Sequence, residues 1–123
     1  MRTENIKFKA KKTLDGKWIK GDLVHHKDSD NIWMTDFEKR LTSPIDPSTV
    51  CQYTGLKDCE GNELYEHDVI KNYPFIPSEI VWSEELSGYY LTHANGKIYE
   101  KPLGYYLSLG KFIVVGNKFD KEK

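Results

Sequence analysis

Ile6, Phe8 and Ala10 alternate with Lys7, Lys9 and Lys11, the two-residue period of a strand with one apolar face and one charged face. With its lysines outward, this reads as an edge-type strand. Residues 18–24 resume the pattern after Asp15-Gly16, so 6–25 reads as an N-terminal β-hairpin. Asn95-Gly96 separates 89–93 from 97–101 in the same way. Both dipeptides predict type I′ turns, in which the two central residues take positive φ. A longer loop over 58–62 places Gly61 in the left-handed region. Further strands fall at 69–71 and 79–82, parted by a loop that holds Pro74 and Pro77. Tyr89, Leu91 and His93 face one way, Tyr90 and Thr92 the other. Residues 112–115 are continuously apolar and read as a central strand covered on both faces. Helix is weakly signalled. Residues 36–41 predict at most a turn or two, and 84–86 a loop.

Composition strengthens the reading. The 123 residues hold two alanines against 16 aromatics and 15 isoleucines and valines, a balance that favours pleated sheet over helix. Leu, Ile, Val and Phe number 30, enough for one modest core, and the net charge of −1 argues against both disorder and indiscriminate polyanion binding. A single domain is expected at this length. No apolar stretch approaches the ~20 residues of a membrane helix, and no apolar signal region follows Met1, so a cytoplasmic protein with no membrane partner is expected. The expected fold is mainly β with little helix. It comprises the hairpin 6–25, a variable segment 28–47, and a small SH3-like or strongly curled barrel over 50–119.

The run Gln52-Tyr53-Thr54-Gly55-Leu56-Lys57-Asp58, followed by Gly61-Asn62-Glu63-Leu64-Tyr65-Glu66-His67-Asp68-Val69-Ile70, resembles the YopX family of small proteins carried by bacteriophages and prophages. Flanking features agree in order: Trp18 before Gly21-Asp22-Leu23, Val81-Trp82, Gly88-Tyr89-Tyr90-Leu91, and Val115-Gly116-Asn117. The family pattern has glycine where this chain has His67. Either the tight turn survives there at a strain of about 1 kcal/mol, or the backbone takes another course. The resemblance implies a β-rich fold and a phage-linked context. It brings no catalytic activity.

Chemistry is sparse. Cys51 and Cys59 lie eight apart without the close partners of a zinc site, and read as ordinary thiols. His26, Asp28 and Asp30 share a parity that would suit a metal-dependent hydrolase, whereas His25 points the other way, and the run 27–31 reads as a solvated loop. Glu84-Glu85 reads as a solvated pair rather than a glycosidase dyad. Gly104 and Gly110 lack phosphate-loop spacing. No catalytic residue, metal site or cofactor is expected. Lys7, Lys9 and Lys11, with Lys17 and Lys20 across the hairpin, offer contacts to nucleic acid, or else guard an exposed edge. Tyr89, Tyr90, Tyr105 and Tyr106 exceed what so small a core needs and are candidate interface residues. The expected function is a non-enzymatic binding or assembly module, working as a homo-oligomer or with a phage or host protein. A nucleic-acid-binding accessory is the alternative.

Overall fold

The computed structural model describes residues 3–27, 31–72 and 76–120. Over these the chain is mainly β, with ten strands in two antiparallel sheets and one short α-helix. Neither sheet closes into a barrel among the described residues; they are open, curled sheets. The chain divides into two compact units, residues 1–53 and 54–123.

The first unit carries β1 (Phe8–Lys11), β2 (Trp18–His25), β3 (Ile32–Asp36), β4 (Thr42–Pro44) and the start of β5 (Cys51–Lys57). Their order across the sheet is β4-β3-β2-β1-β5. The strand expected at an edge is therefore interior: β1 pairs with β2 through Phe8 opposite Gly21 and with β5 through Lys9 opposite Cys51. Alternation alone does not distinguish an edge strand from an interior one, since both can have one wet face. Ala10, Met34 and Ile45 are fully buried, with Phe8, Ile19, Leu23, Ile32 and Val50 packed around them. Gly21 sits where a Cβ would lie 1.8 Å from the Thr35 carbonyl oxygen, so the close approach of β3 requires glycine.

Residues 36–41 form a tight reversal between β3 and β4, without helix. The Asp36 carboxylate accepts from the Glu38 and Lys39 amides, and Arg40 takes φ 55°, which breaks any helical continuation. The Asp15-Gly16 turn is also longer than a type I′ hairpin. Lys12 and Lys17 close it, and Gly16 alone of the pair takes positive φ (71°).

The second unit continues with the end of β5, β6 (Glu63–Tyr65), β7 (Asp68–Lys71), β8 (Ser78–Ser83), β9 (Gly88–Leu91), α1 (Leu103–Leu109) and β10 (Ile113–Asn117). Four of these form a sheet in the order β10-β7-β8-β9. The apolar run expected at the centre is thus the edge strand β10, with Val115 half exposed (52%). Its edge is guarded: the Val114 amide donates to the Asp58 carboxylate, and the Phe112 carbonyl accepts from the Cys59 amide. The Asn95-Gly96 turn is a three-residue loop closed by His93 and Lys97, with positive φ at Gly96 only. Gly61 is left-handed (φ 86°), as the loop chemistry predicts. Leu64, Ile70, Ile80, Leu91 and Leu103 form the buried core, each stabilising the fold by about 1.5–3 kcal/mol.

Helix α1 owes its place to that core. Leu103, Tyr106 and Leu107 recur at the three- and four-residue spacing of one helical face, and all three pack on the core. Seven residues are too few to hold a helix by propensity alone.

Candidate binding sites

The functional features of the second unit gather around α1. Tyr106 turns toward the core from α1, and Tyr99 meets it edge to face at 5.1 Å. His93 stacks on the other side of Tyr99, 4.1 Å away and within 10° of parallel. Tyr105 joins edge-on to Tyr106 at 5.2 Å, with the Lys101 ammonium 5.9 Å from the Tyr105 centroid. Hydrogen bonds fix the row: the Lys101 amide donates to the Tyr106 hydroxyl, and the Ser78 and Tyr99 hydroxyls are 3.2 Å apart. Edge-to-face and offset pairs suit the ring quadrupoles, so the array is rigid as well as apolar.

Beside this row lies a cavity of about 300 Å³ lined by Asn72, Ile76, Tyr99, Tyr106, Leu109, Gly110 and Phe112. Its walls are apolar, with the Asn72 amide the contrasting group, the composition usual for a ligand or side-chain pocket. Gly110 keeps it in shape, because a Cβ there would come within 2.5 Å of the Asn72 amide nitrogen. Two of its lining residues are exposed apolar side chains, Leu109 at 68% and Ile76 at 61%, and Tyr105, edge-on to Tyr106, is 46% exposed. Sequence reasoning missed the cavity, although Leu103, Tyr106 and Leu107 at helical spacing were the signal that places one wall.

The four singled-out tyrosines fall in different environments. Tyr105 is exposed and Tyr106 lines the cavity. Tyr90 is buried. Tyr89 packs on the core and meets Trp82 edge-on at 5.0 Å. Burial, aided by the Glu66 carboxylate, pushes the Tyr89 hydroxyl up to about 12.

Two carboxylates of this unit serve structure. Burial of Asp58 works against its ionised form, but the amides of Val114, Asn62 and Glu60 and the Asn62 side chain all donate to it and hold its pKa below the usual value. Asp68 is almost wholly buried, accepting from the Tyr65 amide at 2.8 Å and the Asn117 side-chain amide at 2.9 Å. His67 keeps the tight turn with φ 71°. Its amide donates to Ile80 and its carbonyl accepts from Lys118, while Nδ1 lies 2.7 Å from the Glu79 carboxylate. These contacts over-determine a strained backbone.

In the first unit, Lys9 and Lys11 share one face of β1, and Lys7 precedes the strand at the same parity. The Lys7 ammonium lies 4.8 Å from the Tyr53 centroid, and those of Lys9 and Lys11 lie 5.0 and 5.4 Å from that of Trp18. Asp28 and Asp30, of the ligand set proposed with His26, lie outside the described residues, whereas His26 rests edge-on against Trp33. Among the described residues no three His, Cys, Asp or Glu side chains are grouped to hold a metal, and none of the helices is long and apolar enough to cross a membrane. Cys51 is buried, its thiol donating to the Thr49 carbonyl at 3.2 Å, and Cys59 is exposed; neither is in a disulfide.

Taken by fold and site, this is a mainly β protein of two compact units, one bearing an aromatic pocket and the other a lysine-lined sheet face. The family model described as YopX protein matches residues 7–122. The chain belongs to the YopX family. A comparison with curated proteins finds no match.

Proposed function

We propose that this chain is a phage or prophage accessory protein of the host cytoplasm that works by binding, without turnover, and that copies of it associate through the α1 surface. The observation that carries this reading is the exposed Leu109 and Ile76 at a cavity walled by rings, with the exposed Tyr105 edge-on to Tyr106 of that wall. Clustered apolar exposure of this kind is a feature of contact surfaces, and rigid aromatic side chains bring large contact area at little entropic loss. A repeated surface feature of one chain is most often used in a symmetric homo-oligomer.

Sedimentation velocity on alanine variants of the four tyrosines tests it. Tyr105→Ala and Tyr106→Ala are expected to shift the assembly toward a 14.3 kDa monomer. Tyr89→Ala and Tyr90→Ala are expected to lower thermal stability while folded copies keep the wild-type mass. Wild-type mass retained by both Tyr105→Ala and Tyr106→Ala, at all concentrations, removes this surface from the assembly.

A further inference from the structure

We propose that the cavity beside α1 binds a neutral, planar nitrogen heterocycle of the nucleobase type, its ring against Phe112 and its polar edge on the Asn72 amide. The inference rests on the reading of the α1 surface as a binding surface, but not on copies associating there.

Three observations carry it. The first is size and charge. At about 300 Å³ the cavity stands at the lower end of the roughly 300–1,000 Å³ of small-molecule sites, room for one or two fused rings rather than for a peptide. None of its lining residues is charged. An ion entering it sheds water without meeting a counter-charge, so the fitting occupant is neutral.

The second is which groups are free. The Tyr99 and Tyr106 hydroxyls are already engaged, the first with the Ser78 hydroxyl at 3.2 Å and the second with the Lys101 amide at 3.3 Å. Both rings have ring partners as well, so they serve as fixed walls. Phe112, in contrast, makes no ring contact among the described residues, and the Asn72 side chain makes no hydrogen bond there. Both side chains are half-buried.

The third is Gly110. Its φ of −148° is extended backbone open to any residue, so conformation does not call for glycine. Space does. A Cβ at this point would lie 2.5 Å from the Asn72 amide nitrogen and 3.5 Å from the Phe112 ring. The glycine keeps open the place where the free amide and the free ring come together.

That pairing defines the ligand. A primary amide offers an acceptor beside a donor. Its complement is an N–H beside an acceptor on the edge of a ring, the arrangement through which asparagine holds adenine in two hydrogen bonds. The face of the same ring stacks on an aromatic side chain. A plain hydrocarbon ring, or an indole with its single donor, satisfies Phe112 and leaves the amide half-used.

The test is isothermal titration calorimetry of the full chain with adenine, with indole as a two-ring ligand lacking the paired edge, and with adenosine 5′-monophosphate as the charged source of the same base. Adenine is expected to bind with a Kd below about 1 mM, and indole about tenfold more weakly. The monophosphate is expected to bind no tighter than adenine, and neither to respond to salt between about 50 and 200 mM. Asn72→Leu is expected to weaken adenine about tenfold while leaving indole within twofold of wild type. Gly110→Ala, which pushes the amide aside, is expected to weaken adenine in the same direction, and carries the test should Asn72→Leu melt early. Tyr105→Ala separates this proposal from self-association: Tyr105 does not line the cavity, so adenine affinity is expected to stay within twofold whatever the mass of the variant. The proposal is overturned by absence of adenine binding at 1 mM, by indole binding as tightly as adenine, by a monophosphate that binds tighter and in a salt-dependent way, by adenine affinity indifferent to both Asn72→Leu and Gly110→Ala, or by adenine binding lost in Tyr105→Ala.

Discussion

The two units solve the same problem, covering an antiparallel sheet, with different chemistry. In the first, the buried cluster around Ala10, Met34 and Ile45 is apolar, with Thr49 a neutral buried polar residue of the unit, and the charged lysines lie over Trp18 and Tyr53 on the face of β1 away from that cluster. In the second, the apolar core has carboxylates built into its margins: Asp58 holds the 58–62 loop to β10, and Asp68 joins β6 to β10 through Tyr65 and Asn117. The first unit therefore depends on close backbone approach and the second on satisfied buried charge. The surfaces left over differ accordingly, cationic in one and apolar in the other. Charge placed inside and charge placed outside leave different kinds of sites.

The sharpest way to break this contrast is to crowd one glycine in each unit. Gly21→Ala must displace the β3 backbone at Thr35 and is expected to lose about 3 kcal/mol by urea denaturation. Gly104→Ala, on α1 with Leu56 3.9 Å from the new methyl, is expected to gain about 1 kcal/mol from helix propensity. Equal effects at the two positions would contradict the assignment of tight packing to the first unit.

Next in size is the carboxylate dependence of the second unit. Asp58→Asn places an amide group against amide donors and is expected to lose about 2 kcal/mol at neutral pH. The folded-state pKa is lowered, so the folded protein binds fewer protons and the stabilisation is present above the ordinary value of 3.8. It fades as pH falls through the lowered folded value. Melting curves of wild type and Asp58→Asn should therefore converge in acid; a gap unchanged down to that range would show that ionisation of Asp58 is irrelevant.

The smallest effects concern strained backbone. Arg40 holds φ 55° in an exposed reversal, and Arg40→Gly is expected to gain about 0.5 kcal/mol. His67→Gly relieves a similar strain but removes the 2.7 Å contact with Glu79, and is expected to change stability by less than about 1 kcal/mol. A large loss at His67 would give its imidazole a weight beyond that one contact.

Strand content was legible because β-branched and aromatic residues alternate and turn residues punctuate them; the Gly61 loop was readable for the same reason. Register was not. Nothing in 6–11 reveals that β5 returns to cover the other side of β1, and nothing in 112–115 reveals that Asp58 guards an edge, since both depend on partners 40 to 60 residues away. Turn type failed for a local reason: one left-handed glycine following a type I turn reads the same as a two-residue I′ turn. Helix α1 was hidden by its length and by two consecutive tyrosines that also suit a strand. Of the candidate site, the surplus of tyrosines was visible, but the sorting of Tyr105 and Tyr106 from Tyr89 and Tyr90 required the fold.

The central claim is that the α1 rim of the second unit holds copies together, and light scattering of wild type beside Leu109→Lys tests it most directly. Leu109 is 68% exposed, so the substitution leaves the fold intact while placing a charge on the rim. The account predicts a wild-type mass that is a multiple of 14.3 kDa and a Leu109→Lys mass near 14.3 kDa. A monomeric wild type, or equal multimeric masses for the two proteins, would contradict it.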